Sequence, residues 1–513
     1  MSNPPEPDAL TTLRAHLATI VDLRNSAAVL GWDQETHMPM RGAASRAEQL
    51  GTLTRLAHDR FVSPTTAKLL DAAEASAHLD PASDNGAVIR MARRDYARLS
   101  RLPAEFVAAR ARAASLSTLV WRQARPRNDF VAFRPALQEM MDFARREADY
   151  LGYKDHPYDA LLDHYEPDIT SREVDRIFAR LREVIVPLVR SCTERDNRMG
   201  DAFRTAEYDP IQQRVFGLKV AEAFGFDLSR GRLDESAHPF TESFDPDDVR
   251  ITTRYQQDSL SGVFAIFHEA GHAIYEQGIP RSLARTWAGR GASLGVHESQ
   301  SRLWENLIGR SQPFWQFYYR PLQDHFPLLR RAELDAFYRM VNRVQPSLIR
   351  VEADEVTYNL HIMVRYELEK ELITGSLAVS KLPEAWNDRM QTYLGITPPN
   401  DADGVMQDTH WASALIGYFP TYTLGNILSV QLFEAARRAH PAFSEEIARG
   451  QFATLLGWLR EHVHTHGRKF LPPEIVMRAT GTALTPEPYL QYLQQKYGDL
   501  YGVPRPVAAR RMA

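Results

Sequence analysis

The stretch Val263-Phe-Ala-Ile-Phe-His-Glu-Ala-Gly-His-Ala-Ile-Tyr-Glu-Gln-Gly278 holds an H-E-x-x-H pattern inside a run of apolar residues. On an α-helix, residues four apart lie on one face about a turn apart, so His268 and His272 can converge on one cation. Glu269 lies about 100° round the helix and faces the remaining coordination position. The stretch therefore predicts a helix that carries two metal ligands and a general base, as in metal-dependent hydrolases.

The alternative interpretation is a structural helix in which the pattern arises by chance. The chain has 17 histidines, and chance produces the pattern in a chain of this length roughly a few per cent of the time. Two histidines and a glutamate are, however, costly to bury in so apolar a helix without a partner. Gly278 and Pro280 follow as a helix stop. This setting favours the metal site over the structural interpretation.

Composition limits the other classes of function. The chain has 513 residues, of which 44% are hydrophobic and 25% charged, as in ordinary globular proteins with a sizeable core. A formal net charge of −4 and a pI near 6.5 give no sign of a nucleic-acid or anionic-membrane surface. Cys192 is the only cysteine, so any metal must use nitrogen and oxygen ligands. We see neither a secretory signal nor a bilayer-spanning run, and we expect a cytoplasmic location.

Hydrophobic periodicity predicts an all-α fold with a minor β element. Helical segments are predicted over 9–75 with breaks at Gly31 and Met38-Pro39, in several pieces over 87–151, over 171–193, 209–224, 294–307, 331–344, 353–374 and 383–394, and over 423–497 with polar breaks. A loop is predicted over 78–86, and β-branched alternation within 231–257 predicts a hairpin or small sheet. One large domain and two interlocked halves both fit this length. We predict a single catalytic domain with a helical portion of about 1–230, a site portion of about 231–430 and a helical portion of about 431–513.

A catalytic metal site needs a third protein ligand. Glu298 is the candidate, because it lies on the predicted helix that follows the break after Gly278. His297 is the rival, although adjacent helical residues point about 100° apart and only one of the two can face the ion. Glu305 could support a ligand from behind, but we expect it to form a solvated pair with Arg302.

Several segments together resemble a known family. They are Trp32-Asp-Gln-Glu-Thr-His-Met-Pro39, Asp248-Val-Arg-Ile-Thr252, the H-E-A-G-H helix, Val296-His-Glu-Ser-Gln-Ser-Arg-Leu-Trp-Glu-Asn306, Ile349-Arg-Val-Glu-Ala-Asp-Glu355, Gly404-Val-Met-Gln-Asp-Thr-His-Trp411 and Gly417-Tyr-Phe-Pro-Thr-Tyr-Thr-Leu-Gly425. The chain resembles the thermostable carboxypeptidase family M32 over nearly its whole length. The wider clan includes neurolysin and angiotensin-converting enzyme, so the resemblance implies a mainly helical fold with a small sheet beside the active-site groove.

The resemblance also implies an activity. It implies release of single amino acids from peptide C-termini, with broad tolerance of side chains, by a helical homodimer. His268, His272 and Glu298 would hold one divalent ion, with zinc favoured and cobalt or manganese compatible with the same ligands. Glu269 would take the proton of the attacking water and pass it to the leaving amine.

Substrate recognition is expected from residues farther along the chain. By the family pattern, Arg350 would anchor the terminal carboxylate, although a structural ion pair with its acidic neighbours is the alternative. By similarity to the clan, His410 and Tyr422 would stabilise the oxyanion, and Tyr418 competes with Tyr422. His238 would hydrogen-bond the substrate backbone or serve a structural role.

The remaining predictions concern the strand that contains residues 248–252 and two alternative functions. Asp248, Arg250 and Thr252 would share one face of a strand, where Asp248 and Arg250 readily make a local pair. An oligoendopeptidase or dipeptidase on the same scaffold would keep the metal site but would not need Arg350. A non-catalytic peptide-binding protein is less favoured, because structural zinc sites usually close all four positions with protein ligands.

Overall fold

The computed structural model describes residues 8–76, 80–195 and 207–503, and helices dominate it. The prediction of an all-α fold with one small sheet is confirmed. The α-helices are α1 (Ala9–Thr36), α2 (Ala43–Phe61), α3 (Pro64–Ser76), α4 (Asp84–Leu99), α5 (Ala104–Ala124), α6 (Phe130–Leu151), α7 (Pro157–Leu162), α8 (Ser171–Arg195), α9 (Pro210–Phe224), α10 (Ser261–Gln277), α11 (Leu294–Arg302), α12 (Gln312–His325), α13 (Leu334–Val341), α14 (Tyr358–Thr374), α15 (Leu382–Leu394), α16 (Pro420–Ala439), α17 (Phe443–Ile447), α18 (Ala453–His462), α19 (Pro472–Thr480) and α20 (Glu487–Tyr501). No helix within these ranges is long and apolar enough to cross a bilayer.

The sheet has three strands, β1 (Gly231–Glu235), β2 (Thr241–Asp245) and β3 (Asp248–Thr253), in the order β1-β3-β2. β2 and β3 form an antiparallel pair, whereas β1 runs parallel to β3. The guanidinium of Arg250 donates to both carboxylate oxygens of Asp248 at 2.9 Å. The predicted small sheet and its local Asp–Arg pair are therefore confirmed.

Some predicted boundaries are wrong. α1 runs through Gly31 without a break, although the chain does leave the helix at the Met38-Pro39 turn. The loop predicted over 78–86 ends earlier, because Ser83 accepts a hydrogen bond from the amide of Gly86 and starts α4 at Asp84; residues 77–79 lie outside the described part of the chain. The amphipathic segments predicted over 87–151 form three helices, α4, α5 and α6.

The chain forms two compact units, each assembled from three stretches. Unit 1 comprises Met1–Arg101, Thr205–Arg330 and Ala435–Thr482, and unit 2 comprises Leu102–Arg204, Arg331–Glu434 and Ala483–Ala513. Unit 1 holds the sheet and α10, and unit 2 holds the helices from α5 to α8 and from α13 to α16 with α20. That the whole chain acts as a single catalytic domain stays a prediction.

Within unit 1, the helix α10 is buried on nearly every side and packs against α9, α11, β2 and β3. Gly271 allows the close crossing with α11. A Cβ atom at this position would lie 2.6 Å from the Cα of Ser301 and 2.7 Å from the carbonyl oxygen of Gln300. The H-E-A-G-H sequence thus needs its glycine so that the following helix can approach the two histidines.

Candidate functional site

The three predicted metal ligands of unit 1 converge. The Nε2 atoms of His268 and His272 each lie 3.6 Å from Oε2 of Glu298, and the three ligand atoms all lie within 4.8 Å of one another. The two histidines lie four positions apart on α10, and the glutamate comes from α11, as the helical spacing predicts. Ligands held about 2.0–2.2 Å from a tetrahedral ion lie about 3.3–3.6 Å apart. The donor set therefore fits a divalent ion with little movement.

A buried carboxylate holds the outer nitrogen of His268. Glu305 Oε2 lies 2.9 Å from Nδ1 of His268, and the same side chain pairs with Arg302 at 3.3 Å and with Arg310 at 3.2 Å. Glu305 sits on a π-helical turn, Leu303–Ile308, that continues α11. The predicted pair with Arg302 is present, but the Glu305 side chain is only 12% exposed, so the pair is buried rather than solvated. Its contact with Nδ1 leaves Nε2 of His268 facing the ion.

His272 has an outer partner of a different kind. Its Nδ1 lies 2.8 Å from Nδ1 of His297, whose Nε2 lies 2.7 Å from Glu276 Oε1. One tautomer assignment satisfies every contact: Nδ1–H of His272 donates to His297, and Nε2–H of His297 donates to Glu276. His297 therefore lies behind the ligand, away from the ion. Burial lowers the pKa of His272 to about 4, so its ring is neutral, the form that binds metal.

Neighbouring positive charges keep the third predicted ligand, Glu298, ionised. Burial alone would raise the pKa of Glu298, but Arg302 and the two histidines outweigh burial and hold the pKa well below its usual value. Arg302 donates from Nε to Glu298 Oε1 at 2.7 Å, which leaves Oε2 directed at the histidines. Glu298 is therefore ionised at neutral pH and presents one oxygen to a cation.

The predicted base, Glu269, is held by a hydrogen bond from strand β2. Oγ1 of Thr241, the first residue of β2, lies 2.6 Å from Glu269 Oε2 and 3.0 Å from the backbone oxygen of the same residue. Glu269 is 5% exposed, and burial raises its pKa. The hydroxyl fixes the rotamer of a carboxylate that would otherwise be free to turn. No periodicity or motif in the sequence pointed to Thr241.

Unit 2 contains the predicted anchor Arg350, which is buried. Arg350 donates from Nε at 3.0 Å and from Nη2 at 2.9 Å to Asp408 Oδ1, and from Nη1 to the hydroxyl of Tyr358 at 2.9 Å. Arg365 binds the other oxygen of Asp408 at 2.6 Å. Two arginines thus share one carboxylate, and the group keeps a net positive charge. An ion pair, the predicted alternative, does form, but its carboxylate is Asp408, 58 residues along the chain, rather than an adjacent acidic residue.

His410 and the two candidate tyrosines lie together in unit 2. Nε2 of His410 lies 3.2 Å from the hydroxyl of Tyr422, and the imidazole stacks on Phe419 with 4.5 Å between ring centroids. The ring of Tyr418 lies 5.3 Å from both His410 and Tyr422. Burial, followed by the charge of Arg350, lowers the pKa of His410 to about 3. His410 is therefore a neutral hydrogen-bonding group at physiological pH.

The last predicted residue, His238, lies in unit 1 between β1 and β2 and is exposed. Its backbone oxygen accepts a hydrogen bond from Ser236 at 2.6 Å. Buried Glu369 of unit 2 was not predicted. It accepts hydrogen bonds from Tyr158 and Trp411, and burial raises its pKa to about 7.

An H-E-x-x-H helix whose third ligand is a carboxylate on the next helix is the arrangement of a class of metallopeptidases. The family model described as "Carboxypeptidase Taq (M32) metallopeptidase" matches residues 12–497. The chain belongs to this M32 family and is a metal-dependent carboxypeptidase that acts on peptides.

Relatives and solved structures agree with the family model. Thermostable carboxypeptidase 1 of Thermus thermophilus is 43% identical over 491 residues, which cover 94% of this chain and 96% of that protein. Carboxypeptidase 1 of Bacillus subtilis is 39% identical over 94% of this chain and 97% of its own length. The crystal structure of the M32 carboxypeptidase from Deinococcus radiodurans superposes with a TM-score of 0.94 at 41% identity, over 96% of this chain and all of that one. The resemblance inferred from the motifs is thus confirmed.

Proposed function

We propose that the enzyme removes one amino acid at a time from free peptide C-termini, with broad tolerance of side chains. His268, His272 and Glu298 would hold one divalent ion, zinc first and cobalt or manganese as alternatives that suit the same ligands. The observation that carries the proposal is the convergence of their inward atoms, 3.6 Å from Glu298 Oε2 to each Nε2, beside a buried Glu269.

When bound, the ion supplies Lewis-acid chemistry: it polarises the scissile carbonyl and makes water a nucleophile near neutral pH. Glu269 accepts the proton that the attacking water loses, and then donates it to the amine that leaves as the C–N bond breaks. Its raised pKa brings the carboxylate closer to the pH at which both transfers are efficient. Thr241 keeps the carboxylate in one orientation through both steps.

Arg350 would bind the terminal carboxylate of the peptide. The arginine pair has more positive charge than Asp408 neutralises, so a further carboxylate would restore the balance. Asp408 also fixes the guanidinium plane, which lowers the entropy that substrate binding must overcome.

His410 and Tyr422 would donate hydrogen bonds to the oxygen that becomes negative as the carbonyl is attacked. The direct contact between these two residues supports pairing His410 with Tyr422. We assign Tyr418 and the exposed His238 to substrate binding, and His238 would hydrogen-bond the peptide backbone.

Three further proposals follow the family resemblance and the composition. The enzyme would act as a homodimer, as a single catalytic domain and in the cytoplasm, and the single cysteine of the chain, Cys192, agrees with a reducing compartment. Nothing in the charge of the chain favours nucleic acid or membrane as a partner.

Mass spectrometry of one peptide, prepared as the free acid and as the C-terminal amide, tests the activity. With metal, the free acid should yield a ladder of single-residue losses, and a chelator should abolish the ladder. Trimming or internal cleavage of the amide at the same rate would favour an oligoendopeptidase or dipeptidase instead. The variant Glu269→Gln should keep its metal and lose turnover, whereas a non-catalytic binding protein would have no turnover to lose.

A further inference from the structure

A cavity of about 340 Å³ lies in unit 1 between α1, β2, the C-terminal end of α10 and residues 285–290. We call it the α1–β2 cavity. None of the three predicted metal ligands lines it, but it shares Thr241, Glu276 and His297 with the surroundings of the metal cluster. Its volume lies at the lower end of the range of small-molecule sites, about 300–1,000 Å³. The cavity is therefore large enough for an amino acid and too small for a long peptide.

One wall of the cavity carries an acidic side chain that has no ion-pair partner in the described part of the chain. The side chain of Glu242, on β2, makes no hydrogen bond or ion pair with any residue of the described ranges. Its cross-strand partner Arg250 binds Asp248 at 2.9 Å and stacks 4.4 Å over the ring of Trp32 instead. Burial and the charge of Glu276 raise the pKa of Glu242 to about 7, although the charge of His297 acts in the opposite direction. Such a carboxylate would be stabilised by an incoming ammonium group.

Another wall has an excess of positive charge. Arg24 lies 4.4 Å over the ring of Trp287 and makes no hydrogen bond or ion pair within the described part of the chain. Arg290 is 52% exposed, and its nearest carboxylate is Asp95 at 3.5 Å. Asp95 is already bound by Arg468, at 2.9 Å through Nη2. Arg290 therefore shares its nearest carboxylate, Asp95, with a second guanidinium.

We propose that the α1–β2 cavity binds a free α-amino acid, with the carboxylate on Arg24 and Arg290 and the ammonium on Glu242. A zwitterion supplies both missing charges at once, which neither a simple anion nor a simple cation does. That this amino acid is a product of the enzyme rests on the proposed carboxypeptidase activity. That the charges of the cavity suit an amino acid does not depend on that activity.

The position of the cavity links this site to the metal cluster. Glu276 lines the cavity and accepts the hydrogen bond of His297, which in turn contacts the predicted ligand His272. Thr241 also lines the cavity and holds Glu269. An amino acid bound there touches the supports of a metal ligand and of the base, so accumulated product would feed back on turnover.

Calorimetric titration of the metal-loaded enzyme with L-methionine tests the binding, with N-acetyl-L-methionine and L-methionine amide as probes that each lack one charge. Both analogues should bind at least about tenfold more weakly than the amino acid. The variants Glu242→Gln and Arg290→Gln should each weaken L-methionine by about tenfold or more. The matched control Glu235→Gln, an exposed glutamate on β1, should bind like the wild type.

Crystals soaked in L-selenomethionine locate the ligand through the anomalous signal of selenium. A peak within the α1–β2 cavity supports the proposal, and a peak only beside His268 and His272 overturns it. The proposal also fails if no binding occurs, if N-acetyl-L-methionine binds as tightly, or if Glu242→Gln and Arg290→Gln, shown folded by thermal melting, bind normally. The mass-spectrometric peptide test measures the carboxypeptidase activity separately. The activity can therefore fail while the cavity still binds an amino acid, and the cavity can fail to bind while the activity is present.

Discussion

Replacement of Glu305 by glutamine should weaken metal binding without removing a ligand. The carboxylate lies 2.9 Å from His268 Nδ1 and is 12% exposed, so solvent screens the contact only weakly. Arg302 and Arg310 hold its pKa at about 2 against the effect of burial, so it is ionised throughout the pH range of any metal titration. The variant Glu305→Gln keeps the size and a neutral acceptor but loses the negative charge one imidazole away from the ion.

The magnitude follows from this geometry. A hydrogen bond to a charged group contributes about 1.5–3 kcal/mol, and a neutral acceptor retains roughly half of it. Loss of the charge behind a ligand histidine adds to this, and removal of such partners typically lowers metal affinity about ten- to hundredfold, or about 1.4–2.7 kcal/mol. We expect a loss within that range.

Competition against a chromophoric zinc chelator at fixed pH measures the change. Glu222→Gln is the matched control, because Glu222 is an exposed glutamate of α9 and makes no ion pair with a described residue. Circular dichroism and thermal melting of the metal-free proteins check that the variant folds. A folded Glu305→Gln protein that binds zinc within twofold of the Glu222→Gln control would refute the support role of Glu305.

Three further predictions concern the base, the anchor and a buried ion pair. Thr241→Val should lower kcat about ten- to hundredfold with little change in KM, because Glu269 loses a charge-assisted hydrogen bond. Thr241→Ser keeps the hydroxyl and should retain most of the wild-type kcat. An equal loss of kcat in the serine variant would contradict the role of Thr241 in holding Glu269. Arg350→Gln should lower kcat/KM for free-acid peptides about 30-fold or more, and the reasoning fails if free-acid and amidated peptides are affected equally. Burial opposes ionisation of Asp95, but Arg468 outweighs burial and holds its pKa at about 2. Since this folded pKa is depressed, the stability it contributes is complete above the unfolded pKa of about 3.9 and is lost as pH falls towards 2. Asp95→Asn should therefore lower the urea unfolding free energy by about 2 kcal/mol at pH 6 and by much less near pH 2.5, and equal losses at both pH values would contradict it.

Local periodicity predicted several of the helices and the two histidines of the site. The 3.6-residue repeat predicted α8, α9, α10 and α15 to within a few residues, and the same repeat placed His268 and His272 on one face. The run 231–257 was predicted as a small sheet, but its parallel β1–β3 pairing was not, since pairing depends on where a later strand docks. Gly31 was a misleading break because tertiary packing offsets the roughly 1 kcal/mol that a glycine costs a helix.

The need for a third ligand on the next helix extended the prediction to Glu298, and the family resemblance extended it to Arg350, His410 and Tyr422. The structure brings Glu298 to the two histidines and brings His410 to Tyr422.

The sequence by itself determined the helical class, the family and the two histidines with their glutamate, because these depend on neighbours within one or two helical turns or on whole motifs. Only the tertiary structure decided which side chains hydrogen-bond to the residues of the predicted site. Thr241 reaches Glu269 across 28 residues, and Asp408 reaches Arg350 across 58. Glu242 is left without a cation because its cross-strand neighbour Arg250 turns to Asp248. Such contacts depend on how elements distant in sequence pack, and on which of several side chains binds a shared partner. A local repeat of residue types does not contain that information.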